Sequence, residues 1–242
     1  HGNSEIFKDF KLTVIQDVLN YAMEECPPWI RLPRVVRDIP HDYITGGLKC
    51  GNMRQNIEQD MCFKGMDIRT REIGRHPEYT INDANIFIQS YDASGGIEYF
   101  ISMESYDKKA LFGFCRLRIP SKNTEKENKI MFPNTLQNCG LIRELHVYGS
   151  LVGVLLNELN HNSVQHSGIG KRLLNTAENI ALFKHGNKGM VVISGIGVRG
   201  YYEKRGYTLE NNYMVKLFQA PYYCILMIYI IIFAVIYFGL YI

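Results

Sequence analysis

The chain has 242 residues, enough for one hydrophobic core or one and a half, and an ordinary globular share of apolar residues at 46%. Its formal charge of +3 is too small to argue a nucleic-acid partner by itself. The six cysteines (Cys26, Cys50, Cys62, Cys115, Cys139 and Cys224) form no C-x-x-C pair, which excludes the usual zinc and iron–sulfur spacings; their scatter excludes a small disulfide scaffold, so they read as reduced thiols facing a cytosol.

In chain order, residues 1–64 read as a helix, an extended stretch and a second helix. The chain opens at His1 inside a helical pattern with no signal-peptide features, and reads as the C-terminal part of a longer polypeptide. Phe10, Leu12, Val14, Ile15, Val18, Leu19, Tyr21 and Ala22 mostly follow helical spacing and stop before Cys26-Pro27-Pro28. Residues 29–32 and 34–37 read as strand or extended chain around Pro33. Residues 52–61 read as helix, capped near Gly51-Asn52. Arg31, Arg34, Arg37, Arg69, Arg71 and Arg75 cluster in this first third. They form either a solvated basic face or a surface for a phosphate backbone.

From 65 to 216 the pattern changes to short strands and two helices. Strands are expected over 84–91, 98–105 and 111–119, with Ser94-Gly95-Gly96 and Asp107-Lys108-Lys109 as turns. Residues 121–129 are polar and charged, as in a surface loop. A strand over 141–148 comes next, then a helix over 170–184 with Leu173, Leu174, Ala177, Ile180, Ala181 and Phe183 as its apolar stripe. A strand over 189–194 leads to Gly195-Ile196-Gly197, a short helix over 198–204, and a last strand within 207–216. Such alternation implies a mixed α/β sheet.

Lys216 is the last charged residue. The uncharged run 222–242, as a helix, reaches about 30 Å, the thickness of a hydrocarbon core. Tyr222, Tyr223, Tyr237 and Tyr241 lie near its ends, where amphipathic rings favour an interface. Residues 217–242 therefore read as a transmembrane tail anchor that leaves the upstream chain in the cytosol, on the endoplasmic reticulum or the mitochondrial outer membrane.

The central motif is Gln165-His166-Ser167-Gly168-Ile169-Gly170-Lys171, between a strand and an amphipathic helix. A pyrophosphate needs converging backbone N–H groups, and the first turn of a helix supplies them with a favourable dipole. Gly168 and Gly170 allow the main chain to approach. Alone, the motif reads equally well as a plain helix start. Two features add to it. Upstream, the strand Ile142-Arg143-Glu144-Leu145-His146-Val147-Tyr148 offers an edge to the amides of a pantetheine arm. Downstream, Tyr201-Tyr202-Glu203-Lys204-Arg205-Gly206-Tyr207 offers a phenol as general acid toward a departing thiolate; the alternative for Tyr201 and Tyr202 is one buried and one exposed ring on a helix.

Together, strand, Q-x-x-G-x-G, helix, strand and Y-x-x-x-G-Y resemble the acetyl-coenzyme A (acetyl-CoA) core of the GCN5-related N-acetyltransferases (GNAT). Residues 143–149, Gln165-His166, Ala177-Glu178, 192–195, Tyr201-Tyr202 and 213–216 look like the family of Elongator catalytic subunits. So do Arg34-Val35, 37–40, Gly51-Asn52 with Arg54, and 69–72 with Gly74. The resemblance implies a GNAT-type mixed sheet flanked by helices over 65–216. It implies that 1–64 is the C-terminal end of a radical S-adenosylmethionine (SAM) domain, with SAM and a 4Fe-4S cluster only in an upstream segment. It implies acetyl transfer toward carbon 5 of the wobble uridine in tRNA, with other Elongator subunits or a homodimer mate as partners. Glu144, Leu145, His146, Val147, Ile169, Gly170, Lys171 and Tyr202 would contact acetyl-CoA, joined by Gln165 and Gly168 of the loop. Tyr201 and Tyr202 would act in turnover. Protein lysine acetylation on histones or tubulin is the rival activity, with Glu144 and His146 as unranked bases. A non-catalytic membrane-anchored assembly module is the rival of another class. Where some relatives carry three zinc-binding cysteines this chain has Gly65, Asp67 and Thr70, so no metal is expected. Residues 157–163 depart from the family's usual loop, and the membrane span is not part of its common pattern.

Overall fold

A computed structural model describes residues 12–33, 43, 53–59, 65–121, 137–148 and 168–218. Gln165, Arg34, Arg37, the 157–163 loop, most of the 121–129 loop and the 222–242 run lie outside them. Among the described residues no helix is long and apolar enough to cross a membrane.

The elements are α1 (Leu12–Glu24), α2 (Met53–Glu58), α3 (Ile68–Arg71), β1 (Asn85–Ala93), β2 (Gly96–Glu104), β3 (Leu111–Pro120), β4 (Cys139–Val147), α4 (Ile169–Asn179), β5 (Gly189–Val192), α5 (Arg199–Glu203), β6 (Thr208–Glu210) and β7 (Tyr213–Leu217). Among the described residues the fold is a mixed α/β arrangement on a seven-stranded sheet of order β1-β2-β3-β4-β5-β7-β6. β4 and β5 are parallel, while β7 is antiparallel to both β5 and β6. The chain forms two compact units. The first is His1–Ile88, Phe100–Phe114 and His146–Leu173; the second is Gln89–Tyr99, Cys115–Leu145 and Leu174–Ile242.

In the first unit, Met23, Met53 and Ile57 pack together with Leu19 and Leu32 against them. Ile68, Phe100, Leu111 and Phe114 form a second cluster, flanked by Trp29 and Tyr148. The 29–33 stretch makes no strand. Instead Ile30 N–H closes a turn onto the Pro27 carbonyl at 2.9 Å, and the Ile30 carbonyl accepts from Ile68 N–H at 2.9 Å. Pro27, Pro28 and Pro33 leave it few ladder donors.

Two arginines act as internal staples. Arg54 donates to the Leu32 carbonyl at 2.6 Å, to Glu58 at 2.6 Å, to Asp67 at 2.7 Å and to Thr70 at 2.9 Å. Asp67 and Thr70, two of the positions where relatives are expected to carry zinc ligands, are thus joined by a guanidinium. Arg71, expected on a basic surface, is 1% exposed. It donates to the Met66 and Pro28 carbonyls, both at 2.8 Å, and pairs with buried Glu104 at 2.9 Å. Its charge serves the interior.

In the second unit, Cys139, Leu141, Val191 and Val215 pack with Tyr213 beside them. The last stretch is a hairpin, not one strand. Asn211 and Asn212 turn the chain at φ 48° and 71° between β6 and β7. Asparagine tolerates this left-handed region, and a two-residue turn of that hand matches strand twist. After α4 the helix widens into a π turn over Ile180–Lys184. Such a turn shifts the helical phase of its side chains, so Phe183, expected in the apolar stripe, is 71% exposed.

Candidate functional site

β4 pairs with β5 from Cys139↔Gly189 to Ile142↔Val192. A last bond runs from Ile193 N–H to the Ile142 carbonyl at 3.3 Å. β5 ends there, while β4 continues to Val147. The stretch from Arg143 to Val147 thus lies beyond the ladder with β5. Side chains alternate along it. Glu144 reaches Arg116 of β3 at 3.0 Å. His146 stacks on Phe114 of β3 with centroids 5.9 Å apart, and its ring lies 4.4 Å from that of Tyr148. Leu145 and Val147 are half-buried.

The end of β4 and the start of α4 meet at one glycine. A Cβ on Gly113 of β3 would stand 2.7 Å from the His146 carbonyl oxygen, 3.2 Å from Val147 Cα and 3.3 Å from Ile169 Cγ2. His146, Val147 and Ile169 therefore converge because position 113 has no side chain. A glycine inside an apolar strand is the signal for such an approach, and Gly113 was not among the residues expected at the site. The helix start is anchored twice. Ile169 is 1% exposed, so its side chain holds α4 in the core. Gly168 has φ +76° with nothing within 4 Å of its Cβ position, and its carbonyl accepts from Arg172 N–H at 3.0 Å. This glycine is required by conformation, not by space. The N–H groups of the first turn are left to point beyond the helix. Gly170 is half-buried and Lys171 exposed; Gln165 lies outside the described residues.

In the second unit, Tyr201 and Tyr202 sit on the one-and-a-half-turn helix α5. Tyr202 is 5% exposed and packs edge-on to Tyr201 and Tyr207, at 5.2 and 5.7 Å. Burial first, then nearby Cys115, pushes its phenol up to about 12. Burial also raises Tyr201, opposed by Arg205. Arg205 lies 3.4 Å over the Tyr201 ring and donates to its carbonyl at 2.6 Å. The Tyr201 hydroxyl and the Ser194 hydroxyl are buried and have no hydrogen-bond partner among the described residues. Tyr207 donates to Glu178 at 2.8 Å, and Lys216 pairs with the other oxygen of the same carboxylate at 2.8 Å. That network joins residues far apart in the sequence. Cys115 is fully buried with its thiol pushed up by burial. Among the described residues no group of three His, Cys, Asp or Glu could hold a metal ion.

Elongator complex protein 3 of Schizosaccharomyces pombe is 39% identical over 220 residues, covering 87% of this chain and 38% of that protein. The Homo sapiens protein of that name is 36% identical over 220 residues, covering 88% and 39%. This chain is a relative of Elongator complex protein 3. It spans about two fifths of the length of these relatives. The Saccharomyces cerevisiae relative is 37% identical over 216 residues, covering 87% of this chain and 38% of that protein. Among solved structures, the archaeal Methanocaldococcus infernus Elp3 with its N-terminus deleted (1-46) is 33% identical with a TM-score of 0.69, covering 84% of this chain and 48% of that one. No protein-family model matches the chain.

Proposed function

We propose that this chain is the acetyl-CoA-dependent acyltransferase part of an Elongator-type enzyme that modifies carbon 5 of the wobble uridine in tRNA. The observation that carries the reading is the convergence of the β4 end and the α4 start on Gly113. A strand edge beyond its ladder and a helix N-terminus then share one place, the arrangement expected of a GNAT-type sheet.

The residues fit the cofactor. The N–H groups of Ile169, Gly170 and Lys171 lie in the first turn of α4, where a pyrophosphate is favoured. The main chain from Glu144 to Val147 offers donors and acceptors to pantetheine amides. The orphaned hydroxyls of Tyr201 and Ser194 await a polar partner. Bound acetyl-CoA supplies an activated acetyl thioester. The raised phenol of Tyr202 stays protonated near neutral pH and holds a proton for the departing thiolate; Tyr201 is its neighbour in the same role.

SAM and a 4Fe-4S cluster belong, in this reading, to an upstream segment, and no step here passes through them. The partners are tRNA and other Elongator subunits or a second copy. Residues 222–242 tether the chain to a membrane, with the catalytic part in the cytosol. A lysine acetyltransferase with the same donor site is the second reading: Glu144 is engaged by Arg116, which leaves exposed His146 as its base. Calorimetry on the full chain tests the donor site. Wild type should bind acetyl-CoA, and Gly170→Glu should abolish binding by size and charge. Equal binding by both proteins rules the loop out; no binding by either favours the assembly-module reading.

A further inference from the structure

Within the first unit, rings and arginines gather at the end of β4. Tyr148 comes directly after β4, its N–H bonded to the Phe112 carbonyl at 2.9 Å. Its ring lies 4.4 Å from exposed His146 and 6.3 Å from Phe114. Trp29 and Tyr148 flank the same buried cluster of Ile68, Phe100, Leu111 and Phe114. The Tyr148 hydroxyl interacts with both Arg31 and Glu72. Arg31 donates to one Glu72 oxygen from Nε at 3.1 Å and from Nη2 at 2.9 Å, yet its side chain is 46% exposed. Arg69 donates to the Pro33 carbonyl, so two cationic side chains border the 29–33 segment.

We propose that Trp29, His146 and Tyr148, bordered by Arg31 and Arg69, form a stacking site for one unpaired nucleobase of a single-stranded RNA. The inference rests on the acyltransferase reading and names the acceptor's place in it. Buried on one side by a phenylalanine core, these rings are held before any ligand arrives, which lowers the entropy cost of stacking. Exposed His146 and the half-buried rings of Trp29 and Tyr148, beside arginines, suit a ligand that brings both a π face and an anionic backbone. An aromatic peptide needs only the first of these. A duplex needs only the second, because its bases are already stacked. His146 also belongs to the β4 stretch offered to the donor, so a base on this site lies beside the strand that holds the thioester.

Trp29 is the chain's single tryptophan, which provides the readout. The full chain is titrated with a hexauridylate and with an abasic oligomer of the same length, while tryptophan emission is recorded. Acetyl-CoA binding is measured calorimetrically on the same samples. Hexauridylate should quench emission saturably, and the abasic oligomer should not. Tyr148→Leu should weaken the hexauridylate at least about fivefold. Arg69→Ala should weaken both oligomers. Quenching by the abasic oligomer, unchanged affinity in Tyr148→Leu, or saturable quenching by an aromatic peptide but not by hexauridylate would each overturn the proposal. If hexauridylate fails and acetyl-CoA still binds, the stacking site alone is wrong. If acetyl-CoA fails on a folded chain, the acyltransferase reading falls, and this inference with it.

Discussion

Gly113 and His146 approach so closely that a methyl group on the first would stand 2.7 Å from the carbonyl oxygen of the second. The obstructing atom is main chain, so no rotamer change relieves it. Gly113→Ala should therefore push the end of β4 and the start of α4 away from β3. The expected cost is about 1–3 kcal/mol of stability, together with a loss of acetyl-CoA affinity of roughly tenfold or more, as a small misplacement of binding groups gives. Urea titration and calorimetry read the two effects. Wild-type affinity in a folded Gly113→Ala protein would cut the link between this contact and the donor site.

Gly168 tests conformation without crowding. Its φ of +76° is left-handed, and the space around it is open. Gly168→Ala should cost roughly 1–2 kcal/mol, and Gly168→Asn less, because asparagine tolerates that region. Equal costs for both substitutions in denaturant titrations would contradict the backbone account.

The arginines of the first third should divide into two classes. Arg71→Met strands buried Glu104 without its cation, and should cost about 3–5 kcal/mol. Arg31→Ala breaks a half-exposed pair with Glu72, and should cost less than about 1 kcal/mol. Arg31→Ala, Arg69→Ala and Arg75→Ala should instead each lower the salt slope of tRNA binding by roughly one unit where a phosphate contact is lost. Affinity and slope that stay unchanged in all three would return them to a solvated face.

Tyr202 should make the fold sensitive to alkali. Its phenol is raised to about 12 in the folded chain by burial and by Cys115, against about 10 when unfolded. Below pH 10 both states keep the proton, and the contribution is fully present. Between about 10 and 12 the unfolded state ionises first, so stability falls as pH rises, by about 2–3 kcal/mol over the window. Tyr202→Phe should flatten that fall. The comparison is a pair of urea titrations at about pH 9 and about pH 11, on either side of the unfolded value, and an identical drop in both proteins would refute the assignment.

The tail is separable if it is an anchor. β7 ends at Leu217, and Phe218 N–H still bonds the Lys188 carbonyl at 2.8 Å. A chain cut after Phe218 should stay soluble and keep acetyl-CoA affinity, while the full chain should resist alkaline extraction from membranes. Aggregation of the cut chain with loss of acetyl-CoA binding would place the segment in the core.

Much of the architecture was written locally. The strand patterns over 84–91, 98–105 and 111–119 correspond to β1, β2 and β3, because alternation along a strand is a short-range signal. The apolar stripe of α4 and the π turn after it was equally legible, with Leu173, Leu174, Ala177 and Ala181 fully buried. The glycine loop also stood out, since a conformation that only glycine takes easily leaves its mark at the residue itself. Tertiary structure alone decided which charges turn inward. Arg31 and Arg71 look alike in the sequence, yet one borders solvent and the other is locked to Glu104. It also decided that Gly113 is where strand and helix meet, that the π turn casts Phe183 outward, and that Glu178 ties Tyr207 to Lys216. Periodicity reports the face a residue shares with its near neighbours. A buried ion pair or a backbone approach depends on a partner tens of residues away, and that partner is set only when the sheet's register is.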